Sequence, residues 1–90
     1  GGLRRFNDDI VEIKRMFVKT EFRGSGMASG ILRELEKWAL ELGYREARLE
    51  TGIQQPEAIR FYEKSGFVVI ENFGPYQGND NSLCMAKKLI

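Results

Sequence analysis

Arg23-Gly24-Ser25-Gly26-Met27-Ala28 is the stretch on which the reading of this chain turns. Small residues let a backbone bend sharply and approach a ligand closely. Residues 27–42 have the pattern of a helix, so the first free N–H groups of that helix and the positive end of its dipole converge on the loop. Such a place suits phosphate or pyrophosphate, and Arg23 adds a fixed positive charge. The run is not a Walker loop, because it lacks the Gly-Lys-Ser/Thr ending. It comes close to a dinucleotide fingerprint, with Ser29 where the third glycine belongs. Glu50 closes the next strand, where a ribose-binding acid would stand. A Rossmann-like nucleotide-binding domain is therefore one reading of the loop.

Downstream, Met27, Ile31, Leu35, Trp38, Ala39 and Leu42 recur at three- and four-residue spacing, the pattern of one apolar helix face. Glu34, Glu36, Lys37 and Glu41 take the wet side, and Gly43 stops the helix in a left-handed conformation. Upstream, residues 10–18 are β-branched and apolar and predict a strand. Asn7-Asp8-Asp9 is turn chemistry, so residues 1–6 form the other arm of a hairpin. Residues 45–51 alternate, with Ala47, Leu49 and Thr51 on one face. Pro56 opens a second helix that ends at Gly66. Residues 67–70 predict a strand, 72–81 a loop and 82–89 a last strand. The order is β(β)-α-β-α-β-β, an α/β chain with helices packed on a mixed sheet.

At 90 residues the chain is one domain with a small core. Its net charge of +1 has both signs interspersed, with no basic face for nucleic acid. No apolar run is long enough to cross a bilayer, and no signal-peptide pattern opens the chain. Cys84 is the one cysteine, so a reducing, cytoplasmic setting is expected. There is no histidine, which removes His-based triads and the usual zinc sites, and no metal is expected. Acid–base chemistry falls to Glu, Asp, Tyr, Cys, Lys or water.

With these residues in place, the chain resembles the GNAT N-acetyltransferase superfamily. The family's loop is Arg/Gln-x-x-Gly-x-Gly/Ala, and residues 23–28 match it at each fixed position. Glu12-Ile13-Lys14-Arg15-Met16-Phe17-Val18 resembles the strand before that loop, and Ile31-Leu32 the apolar pair after it. Pro56-Glu57-Ala58-Ile59-Arg60-Phe61-Tyr62-Glu63-Lys64-Ser65-Gly66-Phe67 resembles the second motif, Ala-Ile-x-x-Tyr-x-x-x-Gly-Phe. Two features depart from the family. Its usual N-terminal strand and two helices are absent or reduced to residues 1–6, and Gln55 stands where an Asn often contacts the cofactor.

The resemblance implies the GNAT acyl-CoA N-acyltransferase fold over residues 1–90, as a single domain truncated at its N-terminus. It implies acetyl transfer from acetyl-CoA to a primary amine, directly in a ternary complex. The backbone of Arg23, Gly24, Ser25, Gly26, Met27 and Ala28 would take the pyrophosphate. Met16 and Val18 would offer backbone groups to the pantetheine arm, in the manner of an added strand. The Val18 amide would also hold the thioester oxygen as it becomes negative. Gln55 would contact the cofactor. Tyr62 would protonate the departing thiolate, although its spacing alone reads as a core aromatic beside Phe61. Glu12 is the candidate base, against the simpler reading of a solvated strand glutamate. An alkylamine is mostly protonated at neutral pH, its reference pKa being about 10.4.

Asp8 and Asp9 read as turn residues, Arg60 and Lys64 as a solvated helix face with a possible part in phosphate binding. Tyr76 is a candidate for the acceptor pocket and Cys84 a buried structural thiol. A non-catalytic coenzyme A-binding or assembly module is the alternative reading. An open sheet edge and uncovered apolar surface predict a homodimer, or completion by an N-terminal segment.

Overall fold

The computed structural model describes residues 2–14 and 27–90, the side chains of residues 27 and 28 excepted. Strand β1 (Gly2–Arg5) and strand β2 (Ile10–Lys14) pair antiparallel, with Leu3 opposite Ile13 and Arg4 opposite Glu12. The side chain of Asn7 makes the turn. Its Oδ1 accepts the N–H groups of Asp9 at 2.9 Å and Ile10 at 2.8 Å, which satisfies the chain where it reverses. Arg5 pairs with Asp8 across the same turn. The predicted hairpin is therefore present. The remainder of the predicted strand to residue 18, and residues 23–26 of the glycine loop, lie outside the described residues.

Helix α1 (Met27–Glu41) ends as predicted at Gly43, with φ +96°. The Gly43 N–H bonds to the Leu40 carbonyl at 3.0 Å, and the Tyr44 N–H to the Ala39 carbonyl at 3.1 Å. That pair of bonds is a Schellman cap, and glycine supplies the φ it needs. The helix is turned from the expected face. Leu32, Leu35 and Ala39 are its buried residues, at 1%, 8% and 0% exposure, while Ile31, Trp38 and Leu42 stand exposed at 36%, 49% and 56%. At 3.6 residues per turn Leu32, Leu35 and Ala39 share a narrow face. Ile31, Trp38 and Leu42 line one flank of it.

The other elements are strand β3 (Glu46–Gly52), helix α2 (Pro56–Lys64), strand β4 (Val68–Ile70), a 3-10 turn at Gly74–Tyr76 and strand β5 (Ser82–Lys88). The sheet order is β1-β2-β3-β5-β4, with β4 antiparallel to β5. Two antiparallel pairs rule out the parallel sheet of a Rossmann-like domain. Glu50, the supposed ribose acid, instead accepts a 2.6 Å hydrogen bond from the Ser82 hydroxyl.

The chain divides into two compact units, Gly1–Ala47 with Lys88–Ile90, and Arg48–Lys87. In the first, Val11, Ile13, Leu32, Leu35, Ala39 and Ala47 are buried. The Asp9 carbonyl accepts from the N–H groups of Arg45 and Glu46, at 2.8 and 3.1 Å, and the Leu89 N–H donates to the Arg45 carbonyl at 2.8 Å. In the second, Leu49, Phe67, Phe73, Cys84, Met85 and Ala86 are buried. Val69 lies opposite Met85 in the β4–β5 pair. The 72–81 loop is tied down by the Asn72 amide, which donates to the carbonyls of Asn79 and Ser82. Arg48 covers the Phe73 ring, 5.4 Å from its centroid.

The rotated face of α1 carries a test. Leu32→Ala empties a fully packed site and is expected to cost about 2–5 kcal/mol. Ile31→Ala, at a partly wet position, is expected to cost less than about 1 kcal/mol. Urea midpoints at constant slope read the difference. The reverse order would mean that α1 packs on the Ile31–Trp38 flank.

Candidate functional site

The motif Tyr62-x-x-x-Gly66-Phe67 has a physical content that only the folded helix exposes. Helix α2 starts at Pro56, whose missing N–H costs nothing at a helix start. It ends where Gly66 takes φ +100°. The Gly66 N–H bonds to the Glu63 carbonyl and the Phe67 N–H to the Tyr62 carbonyl, both at 3.0 Å. This is a second Schellman cap, and Tyr62 and Phe67 occupy the two positions that usually meet through their side chains. They do meet: the rings are edge to face with centroids 5.9 Å apart. Phe67 is buried at 2% exposure, so it is a fixed wall. Phe61 lies on Tyr62 at 5.3 Å. The helix stop and the ring position are one device.

Tyr62 itself is half-buried, and burial raises its phenol above the ordinary value of 10.0. Its hydroxyl has no hydrogen-bond partner among the described residues. The ring packs against Phe61 and Phe67, as the core-aromatic reading expects. Gln55, at the position before α2, is exposed, and its side chain makes no cap hydrogen bond. Its amide is thus not used up in holding the helix.

Glu12 departs from the simple expectation. It is buried at 4% exposure rather than solvated. The Lys14 ammonium lies 3.4 Å from its Oε2. Residues two apart on a strand share a face, so Lys14 was findable in the sequence as a partner for Glu12. A buried carboxylate is costly unless paired, and Lys14 supplies the pairing charge.

Met16, Val18, Arg23, Gly24, Ser25 and Gly26 lie outside the described residues. Met27 and Ala28 form the first turn of α1, behind the loop as expected, and no acidic residue stands in that turn. The positive end of this helix is therefore free of competing carboxylates on its own first turn. Asp8 and Asp9 serve the hairpin turn. Arg60 and Lys64 are exposed. Tyr76 packs on Phe73, edge to face at 5.5 Å. Cys84 is fully buried, as expected of a structural thiol. Among the described residues no cluster of metal-ligating side chains is found, and no helix is long and apolar enough to cross a membrane.

Comparison with known proteins agrees with this architecture. The profile of the acetyltransferase (GNAT) family matches residues 1–67. An IAA acetyltransferase of Azospirillum brasilense is 40% identical over 78 residues, which are 87% of this chain and 51% of that protein. A crystal structure from Klebsiella pneumoniae, assigned as an acyl-CoA N-acyltransferase, superposes with a TM-score of 0.90 at 32% identity. The match covers 98% of this chain and 61% of that one. A GNAT acetyltransferase of Elizabethkingia anophelis, crystallised with acetyl-CoA bound, shares the fold with a TM-score of 0.78 at 20% identity, over 96% of this chain and 65% of that one. The chain belongs to the GNAT acetyltransferase family. It spans about half to two thirds of the length of these relatives.

The buried phenol makes a prediction. Titrated by ultraviolet absorbance, wild type minus Tyr62→Phe should show one tyrosine ionising above pH 10. The unfolded chain loses this proton first, so this group's contribution to stability is complete below pH 10 and declines as pH rises through the folded value. A difference titration centred below pH 10 would show Tyr62 to be solvated.

Proposed function

We propose that residues 1–90 are a single acetyltransferase domain, the acetyl-CoA-binding part of an enzyme that acetylates a primary amine by direct transfer in a ternary complex. The observation that carries this reading is the Tyr62 hydroxyl. It is set on a capped helix, partly desolvated and without a protein partner among the described residues, at the family motif's tyrosine position.

In this proposal the pyrophosphate lies on the backbone amides of residues 23–28, at the start of α1, where a trapped anion gains from free N–H groups and the helix dipole. The lack of acidic residues in the first turn of α1 supports that assignment. Met16 and Val18 meet the pantetheine arm through backbone groups, and Gln55 through its unused amide. Glu12 takes the proton of the acceptor ammonium, directly or through water. The amine then attacks the thioester carbonyl, whose oxygen is held by the Val18 amide. Tyr62 donates to the sulfur as coenzyme A leaves. The protein acts in the cytoplasm and associates as a homodimer. The apolar flank of α1, with Ile31, Trp38 and Leu42 exposed, supports association. A non-catalytic coenzyme A-binding module remains the second reading, because the chain spans only part of its relatives' length.

Two substitutions test the reading. Gly26→Val fills the space the pyrophosphate needs. Calorimetry should show acetyl-CoA affinity falling by more than about tenfold, or 1.4 kcal/mol, with the fold retained. Wild-type affinity in a folded variant would remove the loop from the site. Tyr62→Phe should lower kcat by about a hundredfold or more and leave acetyl-CoA affinity within about twofold, because its hydroxyl is used only as the thiolate departs. Unchanged turnover, with chemistry rate-limiting, would exclude Tyr62 as the acid.

A further inference from the structure

Lys87 is far from Tyr62 in sequence but belongs to the same unit, on β5. Its ammonium donates to the Ser65 carbonyl at 2.8 Å. Ser65 is the last residue before the left-handed Gly66, so its carbonyl belongs to the negative end of α2, where a cation is favourable. The same ammonium lies 6.0 Å from the centre of the Phe67 ring, within cation–π range. The lysine stem runs beside Gly66: a Cβ added there would meet the Lys87 Cε at 3.2 Å and Cδ at 3.5 Å. One side chain therefore holds all three residues that end α2: Ser65 by a hydrogen bond, Gly66 by packing and Phe67 through its ring. Phe67 in turn carries Tyr62, by its amide on the Tyr62 carbonyl and by its ring on the Tyr62 ring.

We infer that Lys87 is a positioning residue for Tyr62, locking the end of α2 so that the phenol keeps one orientation. This rests on the reading of Tyr62 as the general acid. Lys87 itself touches neither substrate nor cofactor in this scheme. It acts through the Ser65-Gly66-Phe67 cap. A proton donor must be held within a fraction of an ångström to act, and helix ends fray. Here the Ser65 hydroxyl also bonds back to the Phe61 carbonyl at 2.9 Å, and Lys87 is the tie that reaches the end of α2 from β5. A side chain at Gly66 is strained by φ, and its Cβ would stand 3.2 Å from the Lys87 Cε, so the lysine would have to give way slightly as well.

The test is a double-mutant cycle in the full-length, active protein. Lys87→Met keeps the stem against Gly66 and removes the ammonium. It should lower kcat about tenfold or more and leave KM for acetyl-CoA within about twofold. Lys87→Arg, which can still donate to Ser65, should recover most of the loss. In a Tyr62→Phe background, Lys87→Met should cost nothing further, because the group it positions is already gone. Equal losses in both backgrounds would make Lys87 a general stability residue and overturn the inference. So would an unchanged kcat in Lys87→Met. Normal turnover in Tyr62→Phe alone would instead overturn the acid assignment, and the positioning role with it. Near-ultraviolet circular dichroism gives a readout without turnover. The wild type minus Tyr62→Phe difference band should be lost in Lys87→Met and kept in Lys87→Arg. A band that survives in Lys87→Met would show the ring held without the ammonium and overturn the inference.

Discussion

The peptide of Arg45 is held on both sides, and the first unit depends on it. Its N–H goes to the Asp9 carbonyl, which also takes the Glu46 N–H, and its own carbonyl takes the Leu89 N–H. Asp9 is the last residue of the hairpin turn, and Glu46 the first of β3. Three distant stretches thus meet at one backbone site, where β2 and β3 begin and β5 ends. Register matters here because strand side chains alternate faces. Val11 and Ile13 point one way from β2 and Glu12 the other. A slip of one residue would turn Glu12 and Lys14 together onto the face that Val11 and Ile13 now fill and put both charges among apolar side chains. The Asn7 side chain prevents that slip at the source by closing the turn on Asp9 and Ile10.

Both helices are stopped in the same way. Gly43 and Gly66 sit at φ +96° and +100° and each completes a pair of backbone bonds back into its helix. The consequence differs because the next residue differs. Behind Gly43 comes Tyr44, which starts the path into β3. Behind Gly66 comes Phe67, which is buried and returns to Tyr62. The second motif is thus a helix terminator whose hydrophobic contact is made by the Tyr62 and Phe67 rings. That explains its spacing: the cap joins residues five apart, and the ring contact rides on the cap.

This is why so much of the fold was legible in the sequence. Asn7, Gly43, Pro56 and Gly66 act on their own neighbours, so their meaning survives without a structure. The alternation of Ala47 and Leu49 is equally local. What stayed hidden depends on distant partners. The apolar residues of α1 cover more than one face, and only packing decides that Leu32, Leu35 and Ala39 go inside while Ile31, Trp38 and Leu42 do not. Burial of Glu12 required the neighbours that cover it. Nothing near Lys87 in the sequence points to Ser65, twenty-two positions earlier. The resemblance named the site's residues one at a time. The structure supplies the ring packing around Tyr62 and, in the other unit, the charge pairing of Glu12, while the glycine loop lies outside the described residues.

Residues 1–90 hold no histidine, which constrains what these residues can contribute to the proposed mechanism. A phenol raised above 10.0 by burial is fully protonated at neutral pH, so it is always armed as a donor. It is also a weaker acid than the thiol it would serve, whose reference value is about 8.5. Complete transfer from Tyr62 to a free thiolate would therefore run uphill. In the proposed mechanism the hydroxyl would contribute most while the carbon–sulfur bond is breaking, before the sulfur is a relaxed thiolate. A donor that acts only at that moment must already point at the sulfur, since it has no thermodynamic pull to correct its aim. In the proposed mechanism orientation would therefore count for more than acidity, and the cap on α2 and the groups that hold it shut would matter to the reaction.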